Sequence, residues 1–209
     1  MSYKIKEIFY TLQGEGAMAG RPAVFCRFSG CNLWSGREED RSKAICKFCD
    51  TDFWGMDGTL GGSYNANDLA EIVNSLWPNA NGNKYIVCTG GEPLLQLDEQ
   101  LVDAFKTHGF EVAIETNGTI LAPKNIDWIC VSPKANTEIL QTSGNEIKIV
   151  YPQSGINPHD FKDYNFNHFY IQPMDNENRI ENTKLAIEFC MQNTKWKLSV
   201  QSHKIVGIR

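Results

Sequence analysis

The sequence has no long apolar run. No stretch approaches the roughly 18 consecutive apolar residues that a membrane-spanning helix needs, so no membrane partner is expected. The opening residues, MSYKIKEIFYTLQGEG, also lack the continuous apolar segment and small-residue cleavage site of an export signal. Basic residues are in deficit, with 20 lysines and arginines against 25 aspartates and glutamates and a formal net charge of -5. That balance argues against a nucleic-acid partner, because gripping a phosphate backbone needs a concentrated positive surface. Internal repeats, low-complexity tracts and Pro- or Ser-rich linkers are missing. The 209 residues suit one globular domain, 1–209, expected in the cytoplasm.

Cysteine is the exception to this restraint. Seven cysteines, an odd number in a chain without an export signal, do not read as a disulfide framework. Cys26, Cys88, Cys130 and Cys190 sit in apolar segments (AVFCRF, YIVCTG, DWICVS, IEFCMQ), where a buried small hydrophobe is the plain reading. Cys31, Cys46 and Cys49 lie instead in polar, Gly-containing sequence, with 14 residues between the first two and two between the last pair. Structural zinc wants four ligands of the Cys₄ or Cys₃His type. No fourth is evident here: the next histidine is His108 and the next cysteine, Cys88, lies in a strand. Three thiolates and an open position suit a [4Fe–4S] cluster with one iron free for a small molecule. Spacing alone leaves zinc, the cluster and no metal all open.

Short runs rich in Val, Ile, Phe and Tyr predict strands at 4–10, 23–28, 85–88, 111–115, 128–131, 147–151, 169–172 and 196–200. Asn67-Asp68 is expected to cap a helix that Pro78 stops, Asp98 a helix ending at Gly109, and a third helix covers 182–192 with a less regular stripe. Loops without a good helix are expected at 117–126 and 132–144. Strand–helix alternation with too few helices predicts an α/β fold, an incomplete (β/α) barrel of about six parallel strands or a related open sheet. A cluster-loop insertion is expected around 30–60, in which the mixed-charge run 35–43 reads as a solvated loop. Polar clusters follow successive strands: SGCN, TGGEP, TNGT, SPK and QPMD. In such folds this edge carries the chemistry. Alternation in AVFCRF also turns Phe25 and Arg27 inward if Val24, Cys26 and Phe28 meet the helices. A buried guanidinium needs an anion, either a ligand carboxylate or an internal Asp or Glu.

Cys31 at a strand end, Phe48-Cys49 and Gly90-Gly91-Glu92-Pro93 after the next strand together resemble the radical S-adenosylmethionine superfamily, although its usual gap between the first two cysteines is three residues. Leu12-Gln13-Gly14-Glu15-Gly16, the long insert before Cys46, Cys49-Asp50-Thr51, Thr89 before the glycine pair, Ser132-Pro133-Lys134 and Gln172-Pro173-Met174-Asp175 are similar to its 7-carboxy-7-deazaguanine synthase family along the whole chain. The resemblance implies that reduced-cluster cleavage of S-adenosylmethionine yields a 5′-deoxyadenosyl radical. That radical drives ring contraction of 6-carboxy-5,6,7,8-tetrahydropterin to 7-carboxy-7-deazaguanine, with loss of ammonia.

It further implies that Cys31, Cys46 and Cys49 ligate the cluster. Phe48, Cys49, Asp50, Gly91, Ser132, Pro133, Lys134, Gln172, Pro173, Met174 and Asp175 border S-adenosylmethionine. Leu12, Gln13, Gly14, Arg27 and Thr89 contact the pterin, the Arg27 fork facing its carboxylate. Thr51 ligates Mg2+; unaided, a lone Thr hydroxyl reads as a capping residue. Glu15 and His203 rank lower as site residues, as do Glu115 and Asn117 as ribose contacts. An electron donor such as a flavodoxin and a homodimeric state also follow from the resemblance. Two other readings stay open: a glycyl-radical-enzyme activase, and a zinc-stabilised module without catalysis.

Overall fold

Alternation along each strand decides which face meets a helix. In β2 (Pro22–Phe28), Val24, Cys26 and Phe28 face outward into the main core, together with Ile86 and Cys88 of β4 (Lys84–Gly90) and Val112 and Ile114 of β5 (Phe110–Thr116). Leu69 and Val73 of α1 (Ala66–Ser75) and Leu101, Val102 and Phe105 of α2 (Glu99–Thr107) cover that face. A second core forms where Ile147 and Ile149 of β7 (Ser143–Tyr151) and Phe169 and Ile171 of β8 (Asn165–Pro173) meet Ala186 of α3 (Arg179–Gln192). The opposite face of every one of these strands lines a lumen.

The computed structural model describes residues 2–78 and 82–209. Its strands form one open sheet in the order β3-β1-β2-β4-β5-β6-β7-β8-β9, where β1 is Tyr3–Leu12, β3 Gly62–Tyr64, β6 Trp128–Val131 and β9 Lys197–Leu198. From β2 through β9 each neighbouring pair is parallel, so among the described residues the parallel run holds the expected six or so strands plus a short edge. That edge is β9, two residues long within the strand expected at 196–200. β1 runs antiparallel to both β2 and β3, and β3, a Gly-Ser-Tyr edge with no apolar alternation, carries no strand signal in the sequence.

Helix boundaries shift for local reasons. Asn65, not Asn67-Asp68, caps α1: its side chain accepts from the Asp68 amide at 3.0 Å while its own amide donates to the Asp68 carboxylate at 2.7 Å. Asp98 caps α2 by accepting from Leu101, and Gly109 takes the left-handed conformation expected of it (φ +81°). α3 starts three residues early, at Arg179, and is apolar on two sides, which explains its irregular stripe. No helix joins β5 to β6 or β6 to β7 among the described residues, as the loop residues there predict. The run 35–43 is not a plain loop: Glu38–Lys43 forms a 3-10 helix.

Candidate active site

The C-terminal ends of the parallel strands open into a cavity of about 510 Å³, within the range of small-molecule sites. Arg27 and Thr89 are register neighbours across β2 and β4, and both face it. Arg27 directs Nε at Glu7 Oε1 (2.9 Å), so an internal carboxylate supplies one anion, while its two terminal nitrogens have no acceptor among the described residues. Lys148 projects from β7 between two carboxylates, Glu15 at 2.6 Å and Glu115 at 2.9 Å. Gln13 donates to Glu115 (3.1 Å) and accepts from the Glu15 amide. Burial opposes the Glu15 charge, but the Lys148 ammonium and hydrogen bonds from Lys148, Gln201 and Gln172 bring its carboxyl down to about 2. Burial likewise works against the Lys148 ammonium, and the Glu115, Glu15 and Glu146 carboxyl groups around it outweigh that effect and hold it charged.

At the rim, Cys31 follows β2 while Cys46, Phe48, Cys49, Asp50 and Thr51 come from the returning arm of the insert, all bordering the same cavity. The thiols are free, and burial pushes those of Cys31 and Cys46 up. The Leu33 amide donates to Cys31 Sγ at 3.4 Å. Gly91 lies against the segment that leaves β2, where an added Cβ would sit 2.2 Å from the Gly30 carbonyl and 2.7 Å from Cys31 Cβ. At Gly90 (φ +143°) a Cβ would press within 2.3 Å of the Phe28 carbonyl. Glu92 is buried and acts structurally, accepting from the Leu94 amide, Thr116 Oγ1 and the Asn117 amide. It locks the glycine turn onto the end of β5.

The far wall holds Ser132, Lys134, Gln172, Pro173, Met174 and Asp175. Lys134 donates to the Ser132 carbonyl and hydroxyl, both at 2.7 Å, and burial lowers its pKa. Leu12, Gln13 and Gly14 complete the wall, and Asn117 also reaches it. Of the residues expected at the site, only Pro133 is not on the cavity wall; it is buried just after the end of β6. Cys26, Cys88 and Cys130 are buried as expected, whereas Cys190 is only half-buried on α3, and Cys130 faces Glu146 (3.4 Å) rather than an apolar core.

Several cavity residues escape sequence reasoning. Lys148 obeys the same alternation that exposes Arg27 and could have been read from it. Glu7 could not, because the β1–β2 register slips between Ile5 and Glu7. Of the C-terminal segment only His203 is expected at the site, yet the whole segment closes one side: Ser202 donates to the Gly14 carbonyl, Lys204 bridges Asp50 (2.5 Å) and Asp175 (2.6 Å), and Arg209 pairs with Glu7. His203 packs so closely on Gly14 that a Cβ there would meet its ring.

Among the described residues, no three Cys, His, Asp or Glu side chains converge on the position of a single metal ion. Three thiols that border one cavity without meeting at a point suit a larger, multi-iron group better than one zinc. The model of the family described as the Radical SAM superfamily matches residues 41–189. The chain belongs to the radical SAM superfamily. Within it, a 7-carboxy-7-deazaguanine synthase of Bradyrhizobium diazoefficiens is 58% identical over the full length of both chains, and one of Burkholderia multivorans 56%. A solved structure described as QueE from Escherichia coli superposes with a TM-score of 0.74 at 30% identity, covering 97% of this chain and 95% of that one. The 7-carboxy-7-deazaguanine synthases are therefore its family, and radical SAM membership brings with it a [4Fe–4S] cluster and S-adenosylmethionine. The barrel of this member stays open, and no helix among the described residues is long and apolar enough to cross a membrane.

Proposed function

We propose that this chain converts 6-carboxy-5,6,7,8-tetrahydropterin to 7-carboxy-7-deazaguanine and ammonia. The observation that carries this reading is one cavity combining three unpaired thiols at its rim with an anion-binding and polar lumen below them. When bound, the reduced cluster supplies the electron that cleaves S-adenosylmethionine and so starts radical ring contraction of the pterin. Cys31, Cys46 and Cys49 would hold the cluster. The Gly90-Gly91 turn brings bare backbone against Cys31, leaving room for the methionine end of S-adenosylmethionine. Phe48, Asp50, Ser132, Lys134 and the stretch from Gln172 to Asp175 surround the remainder of that molecule, with Pro133 shaping the turn from behind.

Arg27 keeps its terminal nitrogens for the pterin carboxylate, since Glu7 takes only the Nε edge. Thr89 sits beside it, and Leu12, Gln13 and Gly14 face the same ligand. Gln13 is held by Glu115 and the Glu15 amide, so its amide presents a fixed edge. Thr51 would give one oxygen to Mg2+, the ion's other positions coming from substrate and water, and the metal would orient the substrate there. Lys204, tying Asp50 to Asp175, narrows the mouth and helps exclude water. Seven free cysteines support a reducing compartment, the cytoplasm, and a one-electron donor such as a flavodoxin. Exposed Ile180, Ile187 and Met191 on one stripe of α3 support a homodimer.

The decisive experiment reconstitutes the protein anaerobically with iron and sulfide. It then adds reductant, S-adenosylmethionine, Mg2+ and the carboxy-tetrahydropterin, and seeks the deazapurine by mass spectrometry. Product is expected; a fully loaded, reduced protein that makes none overturns the assignment.

A further inference from the structure

The insert between Cys31 and Cys46 poses a mechanical problem. A three-residue gap would let one tight turn set where the thiols lie, whereas 14 residues do not fix that distance unless something braces them. Leu33 begins the brace: its carbonyl accepts from the amides of both Ile45 (3.0 Å) and Cys46 (3.3 Å), tying the outgoing arm to the returning one. Arg41 completes it from the 3-10 helix. Its Nη1 donates to the carbonyls of Lys47 (2.8 Å) and Cys49 (3.1 Å), the residues on either side of Phe48 in the Cys46–Cys49 segment. The other edge of the guanidinium binds Glu38 through Nε (2.7 Å) and Nη2 (2.5 Å). The plane lies over Trp34, 4.0 Å from its ring centroid, and Trp34 is itself buried edge-on against Phe53.

So fully engaged a side chain is unusual in a charged surface run. Four of its donor contacts and one face are committed, only 28% of the side chain is exposed, and its rigid fork suits this geometry in a way a lysine would not. We propose that Arg41 is the positioning residue of the cluster loop: it fixes the turn bearing Cys46 and Cys49 against the arm bearing Cys31, and its charge favours the reduced cluster. The second half follows from placement. Reduction adds negative charge to a group already held by three thiolates, and a guanidinium hydrogen-bonded to the carbonyl of one ligand stabilises that charge. Glu38, paired on the far side, attenuates the effect without abolishing it. The inference rests on the cluster reading above.

The test uses the reconstituted holoenzyme of the wild type, Arg41→Gln, Arg41→Lys and Glu38→Gln. Two quantities are read: iron release to a chelator and the midpoint potential of the cluster, followed by its paramagnetic reduced signal. Arg41→Gln is expected to weaken cluster retention by roughly tenfold or more, the range for outer partners of metal ligands, and to move the midpoint to more negative values. Arg41→Lys should restore the potential but not the retention, because a point charge does not span two carbonyls and a carboxylate. Glu38→Gln should move the midpoint the opposite way, a sign that mere loosening of the loop would not produce. Wild-type retention and potential in Arg41→Gln, or a negative shift in Glu38→Gln, overturns the proposal while leaving the cluster reading intact. Should Arg41→Gln fail to fold, the sign of the Glu38→Gln shift still decides. A wild-type protein that takes up no iron–sulfur cluster overturns both.

Discussion

Arg27 reaches the lumen because β2 alternates without a bulge, putting Phe25 and Arg27 opposite Val24, Cys26 and Phe28. Both anions that chemistry allowed for it find a place: Glu7 on its Nε edge, and a cavity beside its terminal nitrogens. Arg27→Ala is therefore expected to weaken pterin binding at least tenfold while changing S-adenosylmethionine binding little; equal losses in titration calorimetry would contradict the carboxylate role. Lys148 follows the same parity in β7, between outward Ile147 and Ile149, so its position was as legible as that of Arg27. Its partners were not. Glu15 comes from the loop after β1 and Glu115 from β5, and only folding brings them within 2.9 Å of one ammonium.

Among the elements, the strands were the most readable, because alternation acts over a few residues; of the two expected caps Asp98 holds, whereas Asn65 takes the place of Asn67-Asp68. The insert was not. Its mixed charges read as a solvated face, yet Arg41 spends its hydrogen bonds on the backbone of the Cys46–Cys49 turn, a pairing that sequence spacing does not reveal. α3 shows a different failure. Ala186, Phe189 and Cys190 pack on the sheet while Ile180, Ile187 and Met191, exposed by 74, 40 and 77%, share the other side. An apolar stripe of this kind suits a partner surface. Sedimentation should show a dimer for the wild type and a shift toward monomer for Met191→Asp combined with Ile180→Asp. A wild type that sediments as a monomer at micromolar concentration would sink that assignment.

Across the whole molecule, the Lys148 network links the loop after β1 with β5 and β7 through the lumen. Breaking one partner of a buried ion pair costs about 3–5 kcal/mol because the remaining charges lose their compensation, so Lys148→Met should lose about that much stability to urea at neutral pH. The pH dependence has a defined sign. Glu15 ionises at about 2 in the folded chain against an ordinary 4.5, so its contribution is complete above pH 4.5 and is lost as pH falls toward 2. In Lys148→Met this loss should flatten, since the ammonium that depresses Glu15 is gone. A variant whose acid limb matches that of the wild type would show that Lys148 does not set the Glu15 ionisation.

The α/β class, the inward turn of Arg27 and the gathering of polar clusters on one sheet edge are all legible in the amino-acid order. Each of these follows from periodicity and from residue chemistry acting over a few positions. Folding was needed to show that Glu7 shares Arg27, that Pro133 lies off the cavity wall and that the C-terminal segment closes its side. The physical reason is separation along the chain. Glu7 and Arg209, or Gly14 and Ser202, interact across nearly its whole length, and no local pattern encodes a contact that exists only once the sheet has formed.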